Sequence, residues 1–333
     1  MKPMPNSESR PSSLLLLSQR TFVFILTLAL ALALPRRAPA QEPLGPSIKI
    51  DVNLLLVEAT VKDRSGRILK DLKQDDFLLD ADGQPQSISH FSRDQLPLAV
   101  ALVLDLSGSI EPFLRPLRYA TLTALKSLKP EDQVALFTFT DDAQLRVPLT
   151  RDKRDVSDEI ENLAAGGSTN INQGLYDAAR YLRREAPAAR RVIVLISDNV
   201  ATAASVNHDA VIEQALEADA SIYSIKVPGR NPPEARLAAK MLGRSTDLNK
   251  MTSETGGEIF DMEKEGSLFV SLQTLIERLK TRYTIGFYPA QQGQTAGLHR
   301  LNLRLQPTFG GKGRDYSVVA KTSYFVSSSR ASR

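Results

Sequence analysis

The sequence predicts an α/β fold: a mostly parallel sheet with helices on both faces, plus a flanking β-sandwich-like domain formed by the N- and C-terminal segments. Three observations carry this. Short continuous apolar runs, beginning with Leu98 to Leu104, read as strands buried on both faces. Stripes of apolar residues at helical spacing separate those runs, as a parallel sheet with crossover helices requires. Patterning without helices is confined to the two flanks, residues 48–94 and 282–326.

The first flank opens with Ile48 to Val61, where Ile48, Ile50, Val52, Leu54 and Leu56 alternate with partly polar positions. A turn at Asp63-Arg64-Ser65-Gly66 follows. Asp75 to Leu79 leads into Asp82-Gly83, a hairpin signal, with Ser87 to Phe91 as the return strand. The pattern changes at Pro97. After Leu98 to Leu104 comes a helical stripe of Leu114, Leu117, Thr121, Leu125 and Leu128, then a strand at Val134 to Thr140. Helix is expected over Leu175 to Leu182 and Val206 to Ala218. Strands are expected at Val192 to Ile196, Ser221 to Val227 and Glu258 to Phe260. The stripe Leu268, Leu272, Leu275, Ile276, Leu279 marks a last helix. Three strand candidates close the chain: Arg282 to Tyr288, Leu298 to Leu305 and Tyr316 to Tyr324.

Neither flank holds enough strands to be stable alone, because two or three strands bury too little apolar surface. The start of the first strand of the central region, near Leu98, and the end of its last helix, near Lys280, should lie close together. The two flanks are therefore expected to pair opposite the carboxyl edge of the parallel sheet, with Tyr283, Phe287, Leu301, Leu303 and Val318 sharing a core with Val52, Leu54, Leu56 and Phe77.

Residues 1–40 read as an export signal. A polar, basic start precedes the apolar run Phe22 to Leu34, and Ala38-Pro39-Ala40 is a small-residue cleavage pattern. The run is short for a membrane span. The expected location is periplasmic or secreted, with an inner-membrane anchor as the alternative if the segment is not cleaved. The chain's net charge of +4 belongs to this segment, which holds five basic side chains and one acid; the rest has 37 of each. No basic surface for nucleic acid is implied. The absence of cysteine removes disulfides, thiolate catalysis and thiolate metal sites.

Chemistry concentrates in Asp105-Leu106-Ser107-Gly108-Ser109, directly after the first buried strand. Ligands of an open α/β sheet bind outside the carboxyl ends of its strands. Two further segments end at the same edge: Gly166-Gly167-Ser168-Thr169-Asn170, and Ser197-Asp198-Asn199. Oxygen-only donors suit a hard cation such as Mg²⁺, with Mn²⁺ or Ca²⁺ as alternatives. Asp105 and Asp198 bring two negative charges, while Ser107, Ser109 and Thr169 are neutral. A cation so held keeps an open position that a carboxylate of a partner protein can fill.

This pattern resembles the von Willebrand factor type A (vWA) domain and its metal-ion-dependent adhesion site. Asp105, Ser107 and Ser109 match the family's Asp-x-Ser-x-Ser, Thr169 its threonine in a Gly-rich loop, and Asp198 its later aspartate. The family often has Asp-Gly where this chain has Asp198-Asn199. The resemblance implies a vWA-like, Rossmann-like fold over residues 96–280. The flanks resemble vWA-related proteins common in Acidobacteria, through Asp75-Asp76-Phe77, Asp82-Gly83 and Gly286-Phe287-Tyr288-Pro289.

The function read from the sequence is an exported, non-enzymatic adhesion or protein-binding module. One alternative is a structural or scaffolding periplasmic protein with an empty site, Ser107 and Ser109 capping the next helix. The other is a metal-dependent hydrolase with Asp105 as nucleophile. Phosphatases of that kind need a second acid two residues on, where Ser107 stands. His90, His208 and His299 are scattered and belong to no nucleophile motif.

Overall fold

The structure, a computed structural model, describes residues 54–93, 96–201, 203, 205–229, 234, 237, 241, 246–262, 267–289, 296–307, 309 and 316–326. The export segment and the positions Ile48, Ile50 and Val52 lie outside the described residues.

Four strands come first: β1 (Leu55–Asp63), β2 (Phe77–Ala81), β3 (Gln84–Gln86) and β4 (Ile88–Ser92). The α/β part follows as β5 (Leu98–Asp105), α1 (Leu114–Lys126), β6 (Gln133–Phe139), β7 (Ala143–Thr150), α2 (Lys153–Glu161) and α3 (Ile171–Glu185). It continues with β8 (Arg190–Ser197), α4 (His208–Glu217), β9 (Ala220–Lys226), α5 (Leu248–Thr255), β10 (Ile259–Asp261) and α6 (Leu268–Lys280). Four more strands close the described chain: β11 (Tyr283–Phe287), β12 (Gly297–Leu305), β13 (Tyr316–Ala320) and β14 (Ser323–Val326).

The apolar runs became the centre of a six-stranded sheet, ordered β10-β9-β8-β5-β6-β7. Its strands are parallel except for β7, which returns antiparallel beside β6. Every residue of β5 is buried. That follows from its central place, since apolar side chains on both faces need cover on both. One face is covered by α1, α2 and α6, the other by α3, α4 and α5. From β5 the chain steps outward to β6 and β7, then returns to the other side of β5 to lay down β8. The crevice between the carboxyl ends of β5 and β8 is thus the topological switch point of the sheet.

The flanks meet at the opposite end of that sheet. They form two four-stranded sheets, β13-β1-β11-β4 and β14-β12-β2-β3, each with two strands from either side of the α/β part. Leu55 is in register with Phe287 in β11, and Leu79 with Leu303 in β12. Between the sheets lies a core of Val57, Val61, Phe77, Leu79, Ile285, Phe287, Leu301 and Leu303. Tyr283 joins it, its ring 5.5 Å from that of Phe77, while its hydroxyl donates to the Leu69 carbonyl and accepts from the Leu72 amide.

Three expectations about elements are corrected, and three elements were not foreseen. The core-facing residues of β1 are Val57, Ala59 and Val61, so Leu54 and Leu56 lie on the other face and Leu54 is 39% exposed. The hairpin at Asp82-Gly83 forms, both residues at positive φ, but its return strand is only Gln84–Gln86. Ile88–Ser92 crosses to the other sheet and pairs with β11. The expected strand Tyr316 to Tyr324 is two strands, β13 and β14, in different sheets. Finally, β7, α2 and α5 are elements that the apolar periodicity did not announce.

Candidate functional site

Asp105 is the last residue of β5, and the register that matches Leu104 with Ile196 sets it level with Ser197 at the end of β8. Its carboxylate is fully buried. Oδ1 accepts from the Ser107 amide at 2.8 Å, and Oδ2 accepts from the Ser197 hydroxyl at 2.6 Å. The first contact closes a tight turn that brings Ser107 back over the strand end. The Ser107 and Ser109 hydroxyls then stand 3.1 Å apart, Ser107 buried and Ser109 partly exposed. Ser197 is itself held, its Oγ accepting from the Asn199 amide at 3.0 Å.

The Gly-rich loop is tied to the same edge at both ends. The Gly166 amide donates to the Leu106 carbonyl at 2.7 Å, and the Asn170 amide to the Thr140 carbonyl at 2.9 Å. Gly167 has φ +93 and approaches Thr140 so closely that a Cβ would stand 2.9 Å from that residue's own. Glycine is required there by conformation and by space. Asn170 caps α3, its side chain accepting from the Gln173 amide, and this fixes the buried Thr169 at the mouth of the helix. Ser168 turns outward and hydrogen-bonds to Asp141 in the β6–β7 turn.

Asp198 follows β8 and is also buried, with Oδ1 accepting from the Val200 amide at 3.1 Å. Asn199 has φ +62, the left-handed region that glycine favours and asparagine tolerates best among other residues. The Asp-Asn pair therefore makes the turn that Asp-Gly would make. The chain after β9 closes over this point, because a Cβ on Gly229 would meet Asp198 Oδ2 at 2.1 Å.

The electrostatics follow from the crowding. Burial pushes the Asp105 carboxyl up to about 6, opposed by hydrogen bonds from Ser197 and Ser107 and reinforced by the Asp198 carboxylate beside it. Two buried carboxylates side by side at one sheet edge call for a cation. Among the described residues no cluster of three or more His, Asp or Glu side chains could hold a metal. A site here must rely on hydroxyls as well as the two acids, and that donor set fits a hard divalent ion. Of the five residues singled out from sequence, all lie on segments that end at this edge. Two contributors were missed. The sequence places Ser197 at this edge, within Ser197-Asp198-Asn199, but gives it no part in the site. Gly229 acts through its backbone, 31 residues from the carboxylate it touches.

The profile of the von Willebrand factor type A domain matches residues 100–200 of the chain. A search of curated protein sequences finds no match. Among solved structures, the chain is similar to an aerotolerance-related membrane protein from Bacteroides fragilis, at 16% identity and TM-score 0.43, over 55% of this chain and 98% of that one. It is similar to the vWF domain of a type V pili tip protein from Porphyromonas gingivalis, at 12% identity and TM-score 0.39, over 55% and 95% of the two chains. It is also similar to proximal thread matrix protein 1 of the mussel byssus with a zinc-occupied MIDAS motif, at 17% identity and TM-score 0.43, over 59% and 48%.

Proposed function

The chain carries a von Willebrand factor type A domain, and we propose that it is an exported, non-enzymatic binding module working through a divalent cation at the β5–β8 switch point. Asp105, Ser107, Ser109, Thr169 and Asp198 would hold the ion, Mg²⁺ first among candidates. The bound ion supplies an electrophilic position for a carboxylate of a partner protein. The observation that carries this reading is the convergence of two buried carboxylates and three hydroxyl-bearing residues on one sheet edge.

The roles of the chain's own groups follow from their contacts. Asp105 is oriented from both sides by Ser107 N–H and Ser197 Oγ–H, so its remaining lone pairs are fixed in direction. Ser107 and Ser109 lie on the turn that Asp105 closes, so their hydroxyls approach as a pair. Two carboxylates balance the charge of a divalent ion, and because the other donors are neutral hydroxyls it keeps an electrophilic open position for a partner's carboxylate. Export is supported by the apolar run and small-residue pattern of residues 22–40. Among the described residues no helix is long and apolar enough to cross a membrane.

The test is calorimetric titration of Mg²⁺ and Mn²⁺ into the purified protein. One ion per chain is expected, with binding abolished in Asp105→Ala and in Asp198→Ala. Saturation at about 100 times Kd should stabilise the fold by about 2.7 kcal/mol, reversibly with chelator. Absence of saturable binding, or binding that survives both substitutions, would overturn the assignment. Capture of partner protein should likewise disappear when chelator is added.

A further inference from the structure

At the far end of the parallel sheet, where β1 of the sandwich meets the first residues of β8 and β9, lies a partly enclosed cavity of about 140 Å³. Its charged lining is unbalanced: Arg190, Arg191, Arg282 and Lys321 against Glu58 and Asp219. Both acids are ion-paired, although Glu58 Oε2 accepts no hydrogen bond among the described residues. Glu58 lies 3.1 Å from Arg190 Nη2, and Asp219 lies 2.8 Å from Lys321 and 3.7 Å from Arg191.

Arg282 is left over. It is 2% exposed, yet no carboxylate among the described residues is within ion-pair distance of it. Its Nε donates to Thr60 Oγ1 at 3.3 Å and its Nη2 to the Gly256 carbonyl at 2.5 Å. The guanidinium also lies 5.6 Å from the centre of the Tyr223 ring. Its Nη1 has no acceptor among the described residues. Arg190, 8% exposed, has a buried Nε that is also without a partner. Burial holds Arg190 below the usual guanidinium range, and Arg282 beside it acts in the same sense. Buried cations are normally matched by an anion and by acceptors for their N–H groups.

Apart from Ser221 and Thr255 the remaining lining is apolar, with Leu56 and Leu216 inside and Leu96, 51% exposed, also on the wall. A few convergent donors in a cavity with a mainly apolar remainder describe a small-molecule site. We propose that this cavity binds a small organic carboxylate, its head on Arg282 and Arg190 and its short apolar body against Leu56, Leu96 and Leu216. The size limits the ligand, since a cavity of about 150 Å³ takes a six-atom ring. An acid of about six heavy atoms fits. None of these residues belongs to the candidate metal site, so the two assignments stand or fall separately.

The experiment titrates sodium butyrate into the purified chain at constant ionic strength, with chloride as the balancing anion and chelator present to silence the metal site. Ligand-observed NMR and the melting temperature are the readouts. Saturable binding with a raised melting temperature is expected, and inorganic phosphate should bind less tightly because it lacks the apolar body. Arg282→Gln should weaken butyrate by about ten-fold or more, the scale of a lost charge-assisted hydrogen bond. If that variant fails to fold, Leu96→Glu decides, since it sets a carboxylate on the wall from an exposed position and should also weaken butyrate. No saturable binding above chloride, unchanged affinity in the folded variants, or phosphate binding tighter than butyrate would overturn the proposal.

Discussion

Asp105 is the residue at which function and stability pull apart. Its unfolded pKa is near 3.9 and its folded value about 6, so between those limits the folded chain holds the proton that the unfolded chain releases. The sign is then fixed: stability contributed by this group falls as pH rises from about 4 through 6. The shift corresponds to roughly 3 kcal/mol. In chelator, urea unfolding between pH 4.5 and 7.5 should show this decline. Asp105→Asn should flatten it and stabilise the metal-free protein at pH 7. A parallel decline in the variant would assign the pH dependence elsewhere. Gly229 makes a second prediction at this scale. Its φ is not in the left-handed region, so Gly229→Ala strains no backbone, but the added methyl displaces the Asp198 carboxylate. Metal affinity should fall about ten- to hundred-fold, as for disturbed outer-shell contacts. Asn199→Gly, at φ +62, should leave affinity unchanged. Titration calorimetry on both variants makes the comparison. The oxygen donors were legible because polar residues at the end of an apolar run stand out. The roles of Ser197 and Gly229 were not, since each matters only through a contact with an aspartate that folding creates.

The elements that were misjudged share a cause, which is that tertiary contacts replaced the local signal. The run Leu54-Leu55-Leu56-Val57 is apolar at every position, so period-two reading cannot choose a face. Two environments resolve it. One face of β1 packs in the sandwich core, and the other lines the cavity at the α/β junction through Leu56 and Glu58. The phase predicts unequal costs. Val57→Ala, at a fully buried position, should destabilise by about 2 kcal/mol. Leu54→Ala, on the exposed side, should stay within about 0.5 kcal/mol. Chemical denaturation of the two variants measures this, and equal losses would reverse the facing of β1. The break between β13 and β14 likewise has no glycine or proline to announce it. It comes from the Thr322 amide donating to the Glu254 carbonyl on α5 while the Thr322 carbonyl accepts from Leu301 in β12. Edge strand β7 carries Pro148 and mostly exposed residues, and α2 buries only Val156 and Ile160. Such short, half-polar elements give weak patterns. The central strands β5, fully buried, and β8, buried at every position but Arg191, were by contrast readable over most of their length.

At the scale of the whole molecule, the chain enters the sandwich, leaves it to build the α/β part, and comes back to complete it. In the sheet β13-β1-β11-β4 no two strands from the same flank are neighbours. Neither flank can therefore assemble that sheet alone. The register divides β1 between two later strands: Leu55 to Ala59 pair with β11, and Ala59 to Asp63 with β13. Deleting residues 290–333 removes β12, β13 and β14 but spares β11, which leaves α6 across only a short connection. The loss should then be graded along the first flank. In the second sheet β2 keeps only the short β3 as partner, and an isolated two-stranded hairpin is marginal in water. Its amides should exchange at nearly unfolded rates. The half of β1 facing β13 should lose most of its protection, while the half facing β11 keeps a measurable part. The strands β5 and β8 should stay protected, since their neighbours β6 and β9 and their covering helices are intact. Hydrogen exchange read peptide by peptide distinguishes the cases. Full protection of residues 54–92 after the deletion would mean that the first flank folds without β12, β13 and β14, and the shared core of Val57, Phe77, Leu301 and Leu303 would not be what holds it.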